Sequence, residues 1–142
     1  MKYLLRLSMP LILACIVLAQ VRLSAGEKKD KDKPENVVVN DALTTGDVKD
    51  KVRTGSYCKT YVFKMVEGKS YQIDMMSKDF DSYLRLEDPQ GQQVAADDDG
   101  GGFPSARIIY RAAKTGDYTI ICTTFGADST GKYTLHVKEM AN

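Results

Sequence analysis

Between Asp79 and Gly102 the chain reads DFDSYLRLEDPQGQQVAADDDGGG, and seven of these positions are acidic. Carboxylates gathered this densely suit acid–base catalysis, a hard cation, or nothing beyond a solvated turn. Acid–base work needs two carboxyls whose surroundings push their pKa values apart. Asp97, Asp98 and Asp99 precede Gly100-Gly101-Gly102, in a loop that water reaches. A hard cation such as Ca²⁺ gathers roughly six to eight oxygen ligands from carboxylates and carbonyls, and glycines let carbonyls turn inward. Asp97, Asp98 and Asp99 are the acidic candidates, joined by Asp79 and Asp81 if the fold brings the start of the Tyr83 strand to the same end. The spacing lacks the alternating Asp-x-Asp-x-Asp-Gly of an EF-hand, and Asp81-Ser82 can equally cap a local turn through side-chain to backbone bonds. Two readings therefore stand side by side, a structural calcium site and a solvated acidic turn. An ion would hold mutually repelling carboxylates together and stabilise the native state by mass action.

Other chemistry is poorly supplied. The single histidine, His136, lies between Leu135 and Val137 and so points away from an apolar face. There is no Gly-x-Ser-x-Gly and no His-Glu-x-x-His. The glycine run opens no helix, and aspartates ahead of it repel phosphate. The expectation is of a protein that is not an enzyme.

The elements that must position these residues begin after a leader. Lys2 and Arg6 precede an apolar stretch from Leu7 to Leu18, too short to cross a bilayer comfortably and interrupted by Pro10. Residues 1–25 read as a secretory signal peptide cleaved after Ala19 or Ala25. Cys15 offers a lipid-attachment alternative, but Ile16 to Ala19 stay apolar where a lipoprotein turns polar. Losing Lys2, Arg6 and Arg22 with the leader takes the 20 basic residues to 17 against 19 acidic ones, a net charge near −2. No basic patch invites nucleic acid. Gly26 to Glu35 is a run of mixed charges with no large apolar residue, a solvated tether. Residues 36–142 are long enough for one domain with one modest core.

Across that domain apolar and polar residues alternate in twos, with Gly, Asp, Ser and Pro as punctuation, which is an all-β pattern. Strands are predicted at Val37–Leu43, Tyr57–Val66, Ser70–Met76, Ser82–Glu87, Gln92–Ala96, Ala106–Ala112, Asp117–Thr124 and Lys132–Glu139, forming a β-sandwich. Parity assigns Tyr61, Phe63 and Met65; Tyr71, Ile73 and Met75; Leu84 and Leu86; Ile108 and Tyr110; Tyr118, Ile120 and Cys122; and Tyr133, Leu135 and Val137 to the interior. Tyrosines in phase with Ile and Leu read as core aromatics rather than a carbohydrate-stacking surface. An exported chain permits a Cys58–Cys122 disulfide, yet Cys58 is out of phase with the face that holds Cys122, so two free thiols are the other reading.

Phe80 to Gly91, Val94 to Asp99 with its glycines, Ser105 to Ile109, Thr115 to Ile120 and Gly131 to Leu135 occur in an order that resembles the bacterial pre-peptidase C-terminal (PPC) domain family. Tyr61-Val62-Phe63 and Glu67 to Ile73 resemble its early strands, so the likeness spans roughly Leu43 to Val137. The resemblance implies a jelly-roll-like antiparallel β-sandwich of about eight strands, secreted, without catalysis of its own. Such domains are usually appended to exported hydrolases, and some relatives bind calcium or a matrix polymer such as collagen. No catalytic domain precedes the module within these residues, which leaves that accessory role without its usual client. The functional expectation is a secreted or periplasmic binding module, possible calcium included, that contacts a protein or a cell-surface or matrix polymer, with no membrane span after cleavage. The alternative is a structural or inhibitory periplasmic protein docking onto an exported hydrolase in trans.

Overall fold

The structure is a computed structural model and describes residues 35–141. The predicted leader with Cys15, and the charged tether apart from Glu35, lie outside the described residues.

Eight strands form among the described residues: β1 (Asn36–Leu43), β2 (Lys59–Met65), β3 (Ser70–Ser77), β4 (Ser82–Glu87), β5 (Gln93–Asp97), β6 (Ala106–Arg111), β7 (Gly116–Thr124) and β8 (Gly131–Glu139). They pair antiparallel into two four-stranded sheets of order β1-β8-β3-β6 and β2-β7-β4-β5. The couples nest, β4–β5 within β3–β6 within β2–β7 within β1–β8, as a long hairpin folded over itself would place them. The two sheets form the β-sandwich expected from the two-residue rhythm, in the jelly-roll arrangement that the family resemblance implies.

The reason is burial. Ile73 stands opposite Ile108 on one side and Val137 on the other, so one face of β3, β6 and β8 is continuously apolar. Leu84 and Leu86 align with Cys122 and Ile120 to make the facing layer. Every interior position assigned by parity is in the core or packed against it, Tyr61 and Tyr110 being the partly buried ones. Burying one such aliphatic side chain contributes about 1.5–3 kcal/mol. Leu43, Phe80, Ala106 and Ala112 complete the core from strand ends and turns. The Asp88-Pro89-Gln90-Gly91 turn closes on a Gly91 N–H to Asp88 carbonyl bond of 2.8 Å, with Gly91 at φ 79°. That conformation carries little penalty for glycine alone.

One region was not expected. The β1–β2 connection, residues 44–58, lies against the outer face of the second sheet, held by Arg85 to Asp50 and by the Thr123 hydroxyl to the Tyr57 carbonyl at 2.7 Å. Asp50, Ser56 and Cys58 of the connection are buried against Arg85, Ile121 and Thr123 of the sheet, which are buried in turn. Cys58 and Cys122 are both free and buried. Lys59 is the register partner of Cys122, so Cys58, one residue earlier, faces the other side of the sheet. Of the two cysteine readings, the free thiols are the ones observed.

Candidate functional site

Five of the seven carboxylates, Asp79, Asp81, Asp97, Asp98 and Asp99, fall at one end of the sandwich, where β4, β6 and β8 begin and β5 and β7 finish, while Glu87 and Asp88 lie at the opposite end of β4. The dipeptide Asp81-Ser82 ties the loops there together: the Phe125 N–H donates to the Asp81 carbonyl at 2.9 Å, and the Ser82 N–H donates to the Pro104 carbonyl at 3.0 Å. The turn after β5 and the turn after β7 are thus hung on the start of β4.

The five predicted ligands have different employments. Asp97 Oδ2 accepts the Gly100 N–H at 2.7 Å and the Arg107 N–H at 2.9 Å, closing the glycine turn onto β6. Asp79 Oδ2 accepts the Lys132 N–H at 2.8 Å. A Cβ at Gly131 would stand 2.3 Å from the Asp79 Cβ, and Gly131 has φ 144°, so this approach requires glycine. Asp98 Oδ1 accepts the Asp99 N–H at 2.9 Å. Asp81 Oδ1 is buried without a hydrogen-bond partner, as is the Ser82 hydroxyl. Burial first, then the charges of Asp99 and Asp98, push the Asp81 carboxyl above its ordinary value, against an opposing pull from Arg53. Asp81, Asp98 and Asp99 therefore share one electrostatic field, while Asp79 and Asp97 are committed to loop backbone. Among the described residues no group of three or more His, Cys, Asp or Glu side chains is arranged to hold a metal ion.

Beside these carboxylates stands an aromatic set that sequence reasoning missed. The Tyr83 and Phe125 rings lie 6.4 Å apart. The Arg53 guanidinium covers both, 4.2 Å from the Tyr83 centroid and 4.9 Å from that of Phe125. Its Nε donates to the Thr124 carbonyl at 3.2 Å and its Nη2 to the Phe125 carbonyl at 2.5 Å. Phe125 is nevertheless 49% exposed and Phe103 76% exposed. The usable signal for Phe103 and Phe125 was their position, large rings in turns and out of phase with any strand. Arg53 has no sequence signal, because only the folded connection brings it to residues 83 and 125.

Other polar clusters brace the scaffold. Arg85 is fully enclosed, giving Nε to Asp50 Oδ2 at 2.9 Å, Nη2 to Asp50 Oδ1, and Nη1 to Glu87 and Gln93 at 3.0 Å each. At the β1–β2 edge Asp41 accepts from Lys59 and the Tyr61 hydroxyl, each at 2.8 Å, and the Tyr61 and Tyr133 hydroxyls meet at 2.5 Å. His136 Nε2 lies 2.5 Å from Asn36 Oδ1 on the outer face of the first sheet, as its parity predicted. A groove on that face is lined by Asn40, Met76, Lys78, Pro104, Lys132 and Thr134 among others. Among the described residues no helix is long and apolar enough to cross a membrane.

No family model matches this chain, and no curated protein matches it by sequence. Similarity appears at the level of solved structures. A periplasmic inhibitor of g-type lysozyme, PliG of Aeromonas hydrophila, superposes with TM-score 0.56 at 13% identity, over 74% of this chain and 86% of that one. The pre-peptidase C-terminal domain of a Bacillus anthracis collagenase superposes with TM-score 0.54 at 20% identity, over 72% of this chain and 88% of the other. The chain has a PPC-like sandwich fold, in agreement with the family resemblance of its motifs.

Proposed function

We propose that this chain is an exported, non-catalytic module that binds a protein partner, and that the partner is a cell-wall-degrading hydrolase which it restrains in trans. The observation that carries the reading is the extent of the shared fold: the same sandwich accounts for 86% of a periplasmic lysozyme inhibitor. The hydrogen-bonded loop end with its exposed Phe103 and Phe125 supplies a surface of the aromatic kind that protein interfaces favour. The test is a panel of g-type, c-type and i-type lysozymes clearing suspended cell walls, with and without the mature chain. Dose-dependent slowing of at least one enzyme is expected; undiminished clearing across the panel, with no co-purifying hydrolase, would refute the reading.

The collagenase domain favours a second reading, retention on a matrix or cell-wall polymer. Co-sedimentation with insoluble collagen and peptidoglycan separates the two. Calcium belongs to either reading as a proposal with a structural role. Asp81, whose Oδ1 lacks a partner, and its neighbours in charge Asp98 and Asp99 are the residues that would take the ion. Millimolar calcium is then expected to raise the melting midpoint relative to chelator, and Asp81→Asn to abolish the rise. Equal midpoints in calcium and chelator would dismiss the ion.

A further inference from the structure

Most carboxylates along the sheets are answered by a cation. Asp41 pairs with Lys59 at 2.8 Å, Asp74 with Arg107 at 2.5 Å and Glu139 with Lys69 at 2.6 Å. At the loop end Asp128, in the turn after β7, is still answered by Lys49 at 2.5 Å, but the pattern does not extend to every carboxylate there. Among the described residues none of Asp81, Asp98 and Asp99 has a Lys, Arg or His within salt-bridge distance. Arg53 is near, but its guanidinium is spent on the Thr124 and Phe125 carbonyls and on two ring faces. Lys78 lines the groove on the outer face of the first sheet with Asp79.

The same end exposes apolar rings. Phe125 adjoins Asp81 through its N–H, and Phe103 precedes the Pro104 that accepts from Ser82, so the two rings belong to loops fastened to the same dipeptide. Exposed rings beside uncompensated negative charge make a surface that water solvates poorly and that a positive, partly apolar surface complements on both counts. The backbone bonds at Asp97, Asp81 and Ser82 hold the loops before any partner arrives, which lowers the ordering entropy of binding.

We infer that the loop end carrying Asp81, Asp98, Asp99, Phe103 and Phe125 is the docking surface of this module and that its partner presents a Lys- and Arg-rich face. This rests on the binding-module reading and names the surface and the charge of the partner. Long-range attraction between such faces speeds encounter, and the desolvated rings slow release.

The experiment uses the mature chain immobilised in chelator, so that the carboxylates are presented bare. The probes are a cationic g-type lysozyme, a cationic c-type lysozyme and cytochrome c, with α-lactalbumin as an acidic protein of similar size. Binding to at least one cationic probe and none to α-lactalbumin is expected, weakening about tenfold or more as salt rises from low to physiological strength. Asp98→Asn/Asp99→Asn and, separately, Phe103→Ser are expected to lose about tenfold or more in affinity with unchanged thermal melts. Glu67→Gln/Asp117→Asn removes the same charge from exposed positions at the far end of the sandwich and is expected to leave affinity unchanged. Equal affinity of parent and loop-end variants, equal loss in the far-end variant, or no binding to any cationic probe would each overturn the inference. A chain that slows a hydrolase while its loop-end variants do the same would sink this surface and keep the function. Capture through the loop end with no hydrolase slowed would do the reverse.

Discussion

Asp50 and Arg85 offer the sharpest test of how the long connection is fastened. Their side chains are 2% and 1% exposed, so both charges are held out of water and answered by each other. Arg85 also meets Glu87, and Asp50 Oδ2 accepts the Arg53 N–H at 3.0 Å. Asp50→Ala removes both bonds from the guanidinium and the cap on Arg53, leaving a buried cation with Glu87 as its remaining countercharge. Breaking a buried pair in this way costs about 3–5 kcal/mol, and Glu87 argues for the lower part of that range. A domain of this kind is held by roughly 5–15 kcal/mol, so the loss is a large share of the whole. At about 4 °C per kcal/mol the midpoint of melting should fall by roughly 12–16 °C. Urea unfolding of residues 26–142 measures the same quantity as a change in midpoint at constant slope. Asp50→Leu combined with Arg85→Met removes both charges, leaves Glu87 paired with Lys51 at 2.8 Å, and should cost at least about 2 kcal/mol less than Asp50→Ala alone. A loss below about 1 kcal/mol for Asp50→Ala, or a double variant as damaged as the two single losses added, would refute the picture of a desolvated pair.

Two further outcomes are expected. The Lys59 ammonium, then the Ala42 N–H and the Tyr61 hydroxyl, hold Asp41 down at about 2 against an ordinary 3.8. Because the folded value is the lower one, its stabilisation is fully present above pH 3.8 and is lost as pH falls through about 2. Asp41 is 35% exposed, so solvent screening limits this to about 1 kcal/mol, and acid-unfolding curves of Asp41→Asn should be correspondingly flatter over that window. A parent curve with the same slope would contradict it. Burial pushes the thiols of Cys58 and Cys122 up, which makes them poor nucleophiles in the native state. A chain of residues 26–142, whose two cysteines are Cys58 and Cys122, should release two thiols to a colorimetric reagent in denaturant without reductant and essentially none before unfolding, whereas a bridge would release none in either condition.

What could be read from the residues in order was the scaffold. Alternation in twos places Ile73, Leu84, Ile120 and Leu135 on interior faces whatever the pairing, because a strand side chain has only two sides to choose from. Turn residues such as Pro89 with Gly91 then bound the strands, and the eight observed strands differ from those expected by no more than two residues at their ends. The acidic stretch was visible as composition, and the placing of Asp79, Asp81, Asp98 and Asp99 at a loop end followed from their falling just outside strands β4 and β5.

The division of labour inside that stretch was decided only by tertiary structure. Asp97 and Asp79 are indistinguishable in sequence from Asp98 and Asp99, yet the first two meet the N–H groups of Arg107 and Lys132, residues that reach them only when the sheets close. The same holds for Arg85, an outward-facing strand residue that the parity rule assigns to solvent and that residues 44–58 enclose by folding across it. Arg53 likewise has no neighbour within its own segment that foretells two aromatic rings. Periodicity determines which side of a strand a residue occupies, since that depends on the local backbone; what it meets there depends on contacts between segments distant in the chain, which a local pattern does not encode.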